Sequence, residues 1–283
     1  MKINVGLAQI SPKLADVQSN CELHLAFVER AAQQKVDLLV FPELSLTGYT
    51  LQDAVGEVAH KASPSDPLIN AMLEASQRLD MVVGFAEVDE RGRFYTAGAY
   101  LSKGSLVHVH RKVYLPTYGL FDEGRYFDMG DRVRAFDTRF GRMAVLICED
   151  FWHVSPPYLA WLDGADVLLL TSASPGRGLN DDDRLGSSGF VETVNKSYAA
   201  MFGNYVIHAN RVGFEDGMNF WGGSTIFDPD GELVVQAPYF EEALTVAQID
   251  LAQIRRSRAR APLLRDERPE LTLRELQRMA NRS

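Results

Sequence analysis

The sequence predicts one α/β domain built on mixed sheets, and three observations predict it. Short apolar runs of strand length recur from end to end. Helical patterns separate them in the first and last thirds, while the middle reads as strands joined by tight turns. With 46% hydrophobic residues, the 283-residue chain can bury a full core as one large domain or two small ones. No repeat, low-complexity stretch or Pro/Gly-rich linker divides it, so a single domain over 1–283 is the expectation, with a tail from about residue 254.

Residues 3 to 8 read as a strand and 16 to 34 as an amphipathic helix. A second buried strand, 36 to 41, ends on Pro42-Glu43. A loosely helical segment, 51 to 79, leads to a strand over 81 to 88. Turns at Asp89-Glu-Arg-Gly92 and Ser102-Lys-Gly-Ser105 then set off strands at 94–101 and 106–111, a meander signature. The irregular stretch 112 to 131 is long for a compact domain, and loops of that length are usually functional. Met143 to Ile147 is a buried strand. Ser155-Pro156-Pro157 opens a helix near 156–163, with a capping serine and prolines in the first turn. Strands at 166–171 and 205–210 flank a helix from about 187 to 202. A hairpin closed by Asp228-Pro-Asp-Gly231 and a last strand, 244 to 250, complete the pattern.

The net charge of −9 argues against a general nucleic-acid binder. No apolar run reaches membrane-spanning length, and the first residues lack the form of a signal peptide. The two cysteines, Cys21 and Cys148, make no disulfide framework, so a reducing cytoplasm is expected. Cys21 shares an apolar helical face with Leu25, Val28 and Ala32 and reads as core. The basic run Arg255-Arg-Ser-Arg-Ala-Arg260 reads as a solvated face; packing on a second subunit is the other reading.

Cys148 ends its strand where acidic and aromatic residues follow at once. That places it on a sharp strand-to-helix turn, its sulfur at the sheet edge near backbone N–H groups, as a nucleophile requires. A cysteine merely filling space is the alternative. Glu43, at the end of another buried strand, has the desolvated setting that raises a carboxylate pKa toward general-base use. Lys112 follows the strand ending in His110-Arg111; a buried ammonium there would stabilise a thiolate and later an oxyanion. Glu123, on the long loop, either orients Lys112 or touches substrate. Each of the three could equally be an ordinary solvated side chain. Together, a base, a cation and a thiol at strand ends suit acyl transfer through a thioester.

These residues and motifs resemble the nitrilase, or carbon–nitrogen hydrolase, superfamily. Its Glu–Lys–Cys triad matches Glu43 in Phe-Pro-Glu, Lys112 in Arg-Lys-Val-Tyr-Leu-Pro and Cys148 in Leu-Ile-Cys-Glu-Asp, and its additional glutamate matches Glu123. The resemblance implies a four-layer αββα sandwich, a homodimer or larger homo-oligomer, and catalysis with neither cofactor nor metal. A nearer likeness is to the glutaminase domain of glutamine-dependent NAD synthetases, through Pro42-Glu-Leu-Ser-Leu-Thr-Gly-Tyr49, the Leu115–Phe127 stretch, Cys148-Glu-Asp-Phe-Trp152, Ser172-Ala-Ser-Pro175 and Gly222-Gly-Ser224. The sequence departs from that pattern over 212–221 and contains no Ser-Gly-Gly-x-Asp-Ser pyrophosphatase loop. A free-standing amidase acting on a small-molecule carboxamide is therefore implied.

By the same analogy Tyr49, Tyr118, Glu149, Phe151, Trp152, Ser174 and Arg177 would ring the substrate, and the aromatic residues suggest an apolar pocket. Arg177 could instead pair with the Asp181-Asp-Asp183 run, which reads as a solvated helix lead-in. Alternatives of other kinds are a nitrilase, an N-carbamoyl hydrolase, a glutaminase subunit supplying a separate synthetase, or a catalytically silent binding scaffold. No nucleic acid or membrane enters any of these readings.

Overall fold

A computed structural model of the chain describes residues 1–176 and 186–282. Two six-stranded mixed sheets pack face to face, with helices covering each outer face. The first sheet holds β1 (Lys2–Gln9), β2 (Leu38–Val40), β3 (Asp80–Val88), β4 (Phe94–Ser102), β5 (Ser105–Arg111) and β14 (Ala243–Asp250), in the order β14-β1-β2-β3-β4-β5. The second holds β6 (Phe136–Thr138), β7 (Gly141–Ile147), β8 (Val167–Ser172), β9 (Tyr205–Asn210), β12 (Thr225–Phe227) and β13 (Leu233–Gln236), in the order β13-β12-β9-β8-β7-β6. A separate hairpin pairs β10 (Val212–Glu215) with β11 (Met218–Trp221).

The strand patterns dictate these layers. Because side chains alternate along a strand, each sheet presents one set of apolar residues inward and another outward. Val5, Leu7, Leu38, Val40 and Val82 of the first sheet meet Met143, Val145, Leu169 and Ile207 of the second in the central core. The outward set of the first sheet packs against α1 (Val17–Gln33) and α3 (Pro67–Ala75), beyond the one-turn α2 (Val55–Val58). The outward set of the second packs against α4 (Ser155–Leu162) and α5 (Gly186–Phe202). The result is the expected αββα sandwich.

Several local readings are refined. Asp16 caps α1, accepting from the Ser19 N–H at 3.1 Å, and half-buried Cys21 packs on the core from that helix. Ser155 is the first residue of α4 rather than its cap, because its hydroxyl pairs with the Tyr114 hydroxyl at 2.9 Å. Strand β6 pairs only with residues 141–143 of β7, so at the end leading into Cys148 the strand is flanked by β8 alone and Cys148 leaves it at an open side of the sheet. The β10–β11 hairpin and β6 went unpredicted, although Asp216-Gly217 is a turn signal. The basic run lies on α6 (Ala252–Arg260) and is structural in part: Arg258 donates to Asp166 at 2.7 Å and to the Ala165 carbonyl at 3.0 Å. Beyond it α7 (Leu263–Asp266) and the exposed α8 (Pro269–Ala280) end the chain. Among the described residues, no helix is long and apolar enough to cross a membrane.

Two features set where the site forms. β2, β3 and β5 all run the same way, so the segments leaving β2 and β5 emerge at one end of the first sheet. Gly84 of β3 then lets the chain after β2 fold across it: a Cβ there would lie 2.4 Å from the Pro42 oxygen and 2.6 Å from the Leu44 nitrogen. Gly84→Ala should therefore destabilise the fold by about 1–3 kcal/mol through overpacking. Urea unfolding that leaves the midpoint unmoved would contradict this close approach.

Candidate active site

Glu43, Lys112 and Glu123 meet in one buried cluster. The Lys112 ammonium donates to Glu43 Oε1 at 2.7 Å and to Glu123 Oε1 and Oε2 at 2.8 and 2.7 Å. Lys112 and Glu43 are sealed from solvent. Glu43 Oε2 accepts the Ala173 N–H at 2.8 Å, so the end of β8 fixes the second oxygen of the carboxylate. Glu123 Oε1 also accepts from the Tyr49 hydroxyl at 2.7 Å. An ammonium has three protons, and three acceptor oxygens surround this one. An incoming oxyanion could be held by Lys112 only if one Glu123 contact yields.

Cys148 opens a single turn of 3-10 helix, 148–151, directly after β7, with φ of +43°. A non-glycine residue in the left-handed region costs about 1–3 kcal/mol, and such strain collects at functional positions. Asp150 holds the turn. Its Oδ2 accepts the Ile147 N–H at 3.0 Å and bonds His110 Nε2 at 2.7 Å, and its Oδ1 accepts the Val113 and Tyr114 N–H groups at 2.9 and 3.0 Å. One carboxylate thus ties the turn bearing Cys148 to the residues on either side of Lys112, His110 near the end of β5 and Val113 and Tyr114 beyond it.

The electrostatics correct one expectation. Burial, with the Glu43 carboxylate next, pushes the Cys148 thiol well above its ordinary value, and Lys112 only partly opposes this. The resting group is a neutral thiol, not a thiolate. Burial also disfavours the Lys112 ammonium, but Glu123 and Glu43 outweigh it and hold the lysine well above its usual range. Burial raises Glu123 to about 7, with the Glu43 charge adding to it and Lys112 and Tyr49 pulling the other way. Two carboxylates share one cation, and the surplus negative charge is expressed at Glu123.

A cleft of about 40 Å³ reaches Cys148, lined in part by Tyr118, Phe121, Glu149, Trp152 and Ser174. The Tyr118 hydroxyl donates to both Glu149 oxygens, at 3.1 and 3.0 Å, and Trp152 stacks on Phe190. Ser174 is placed by its N–H on Asn210 Oδ1 at 2.9 Å. One expected substrate contact is corrected: Phe151 is 1% exposed and packs in the apolar layer between the second sheet and its helices. Tyr49 gives its hydroxyl to Glu123 and lines, with Thr50, Phe121 and Glu123, a hollow of about 370 Å³ beside the cluster. Arg177 and Asp181 to Asp183 lie outside the described residues. Larger hollows, about 370 Å³ beside Glu87 and Arg111 and about 640 Å³ beside Met1 and Arg256, contain no nucleophile and do not compete by volume alone. No group of three His, Cys, Asp or Glu side chains able to hold a metal ion occurs among the described residues.

Sequence reasoning missed the supports. Asn210 takes Ser172 and Ser174 on its Oδ1 and donates to the Gly222 carbonyl at 2.9 Å, holding the loop whose Ala173 N–H grips Glu43. Asp150 stood in the Cys-Glu-Asp motif but carries no signal of what it reaches. A strand-end Asn gives equally little.

Comparison with known proteins shows the family of the chain. The Carbon-nitrogen hydrolase family matches residues 4–259. A glutamine-dependent NAD(+) synthetase of Acinetobacter baylyi is 32% identical over 257 residues, which cover 89% of this chain and 45% of that protein. An N-carbamoylputrescine amidase of Solanum lycopersicum is 29% identical, covering 90% of this chain and 89% of the relative. The solved structure of a carbon-nitrogen hydrolase from Helicobacter pylori superposes with a TM-score of 0.83 at 22% identity, covering 98% and 99% of the two chains, and shows a shared fold. The chain spans about half the length of the synthetases it matches.

Removing one partner of a buried ion cluster typically costs about 3–5 kcal/mol, because the remaining charges are uncompensated. Lys112→Ala should therefore lower unfolding stability by that order, whereas Cys148→Ala should leave it nearly unchanged. Equal thermal midpoints for the two variants would show that the cluster is not under this electrostatic constraint.

Proposed function

The chain belongs to the carbon–nitrogen hydrolase family, whose members are hydrolases acting on carbon–nitrogen bonds, and on that premise we propose that it is an amidase. It hydrolyses a small carboxamide to carboxylate and ammonia through a thioester on Cys148. The observation that carries this reading is the Lys112 ammonium held between Glu43 and Glu123, in the same buried cluster as the Cys148 thiol.

Each residue's role follows from its surroundings. Because the resting thiol is neutral, its proton passes to Glu43 as the sulfur attacks the carbonyl carbon rather than beforehand. The Glu149 N–H and a Lys112 proton freed from Glu123 hold the oxyanion; loss of such a donor costs roughly 3–4 kcal/mol. The C–N bond breaks, and Glu43 returns the proton to the leaving ammonia. A water deprotonated by Glu43 attacks the thioester carbonyl, the C–S bond breaks, and Glu43 returns that proton to the Cys148 sulfur as the carboxylic acid leaves. Glu123 orients Lys112 and balances its charge. The cleft wall is mainly apolar, and its Glu149 carboxylate favours an acyl group carrying a cation or hydrogen-bond donor. The same machinery acting on a nitrile carbon is the second reading, supported by likeness to a probable nitrilase of Schizosaccharomyces pombe. Catalysis in a homodimer is part of this proposal; exposed Val154 and Leu159, on and beside α4, offer apolar surface for the pairing.

A panel of aliphatic and aryl amides, carbamoyl amines, glutamine and the matching nitriles, scored by ammonia release and intact mass, tests this. Turnover of at least one amide with an acyl adduct on Cys148 is expected, abolished in Cys148→Ala and retained in Cys21→Ser. Turnover surviving in Cys148→Ala would overturn it. The pH dependence has a definite sign. Glu123 is raised to about 7, so it loses its charge as pH falls through that value, and kcat/KM should decline on the acid side of neutrality. A profile flat through that region would remove Glu123 from the active charge state.

A further inference from the structure

The segment over 212–221, where the sequence departs from the glutaminase-domain pattern, folds as the β10–β11 hairpin. With Arg211 just before it, the hairpin forms a buried ion pair that the chemistry above does not use. Arg211 donates to Glu215 Oε2 at 2.8 Å, and the two side chains are 1% and 3% exposed. Arg211 also donates to the Pro12 carbonyl at 3.1 Å, and its guanidinium lies 4.3 Å from the centre of the Phe220 ring. Glu215 Oε1 reaches a different element. It accepts the backbone N–H of Tyr49 at 2.9 Å and of Thr50 at 2.6 Å. The Tyr49 ring stands edge-on to Phe220, and its hydroxyl donates to Glu123, which holds Lys112.

A buried ion pair is weak as a stabilising device, since apolar side chains of similar volume often do as well or better. Its use here is explained by what the second carboxylate oxygen does. Two adjacent N–H groups on an irregular loop need one acceptor, and a carboxylate whose other oxygen is fixed by Arg211 supplies it in a set position. We propose that the Arg211–Glu215 pair is a positioning device, which fixes the Tyr49–Thr50 backbone so that the Tyr49 hydroxyl stays on Glu123 and Lys112 stays between its carboxylates. Neither residue touches the reacting atoms.

The consequence for Glu123 has a sign. Lys112, Glu43, the Tyr49 hydroxyl and the Cys148 thiol are the titratable groups around it. The Tyr49 hydrogen bond favours the ionised carboxylate. Loosening that bond moves the acid limb of kcat/KM to higher pH.

Two variants test the device, and the kinetic readout rests on the amidase reading. Glu215→Asp keeps the charge opposite Arg211 but shortens the reach to the loop. Arg211→Met/Glu215→Leu removes both charges in favour of apolar packing and leaves the two N–H groups without their acceptor. In each, kcat should fall on the order of ten-fold with KM little changed, as expected when reacting groups are misplaced by a fraction of an ångström. The acid limb should move up in pH. Combining either with Tyr49→Phe should add little beyond Tyr49→Phe alone, because all act through one hydrogen bond. A folded Glu215→Asp enzyme with kcat within about two-fold of the parent and an unmoved limb would overturn the proposal. If the apolar pair fails to fold, Glu215→Asp decides alone. If the parent releases no ammonia from any carboxamide, it is the amidase reading that fails. Hydrogen exchange at the Tyr49 and Thr50 amides then decides the device: faster in Glu215→Asp if it is right, unchanged if it is wrong.

Discussion

A fully buried ammonium is the constraint on which the rest of this structure depends. Placing an isolated ion in a protein interior costs several kcal/mol even after relaxation, so Lys112 can exist at that depth only if carboxylates come to it. They come from two directions, Glu43 from the end of β2 and Glu123 from the long loop after β5. Each is in turn fixed by groups further out: Glu43 by the Ala173 N–H, Glu123 by Tyr49. The cation is thus the common meeting point of loops that other groups also hold, Asn210 the one bearing Ala173 and Glu215 the one bearing Tyr49.

The sandwich makes this convergence possible. The first sheet contributes Glu43 and Lys112, and the second contributes Cys148 and the loop bearing Ala173. The apolar layer between the sheets sets the distance between them, and the Ala173 N–H on Glu43 bridges it at the site. That layer is tight: a Cβ on Gly98 of β4 would come within 2.9 Å of Val145 on β7. Asp150 then adds a polar tie across the same gap, with its oxygens on the chain leaving β5 and on the end of β7. Packing brings the two halves of the site close, and one carboxylate sets their register.

The charge count in the cluster explains its electrostatics. One cation facing two carboxylates leaves a surplus negative charge, which opposes ionisation of the neighbouring thiol. Burial and the neighbouring carboxylates keep the Cys148 thiol well above its ordinary range, so the cluster holds no standing buried thiolate. Lys112 is fully engaged at rest, so its contribution to an oxyanion is coupled to Glu123. The hydrogen bonds that hold Glu123 run outward through Tyr49 to Glu215 of the β10–β11 hairpin, so the surroundings of Lys112 extend two elements beyond it.

By itself the sequence determined most of the strands and helices and marked the polar groups at strand ends. Apolar runs with period-two burial fix strands, turn residues fix the meander, and a thiol, a carboxylate and a lysine at strand ends are legible because strand ends are where a sheet can present polar groups. The αββα arrangement and the pairing of Glu43, Lys112 and Cys148 came from the family resemblance of those motifs. Tertiary structure alone decided the roles. Tyr49 and Phe151 sit in motifs that suggest substrate contact; the first gives its hydroxyl to Glu123, and the second is committed to the core. Asp150, Asn210 and Glu215 carry no local signal at all, because a hydrogen-bond acceptor's meaning lies in which distant N–H it meets. Periodicity reports which face of an element is buried; it holds no record of what another element, a hundred residues away, brings to that face.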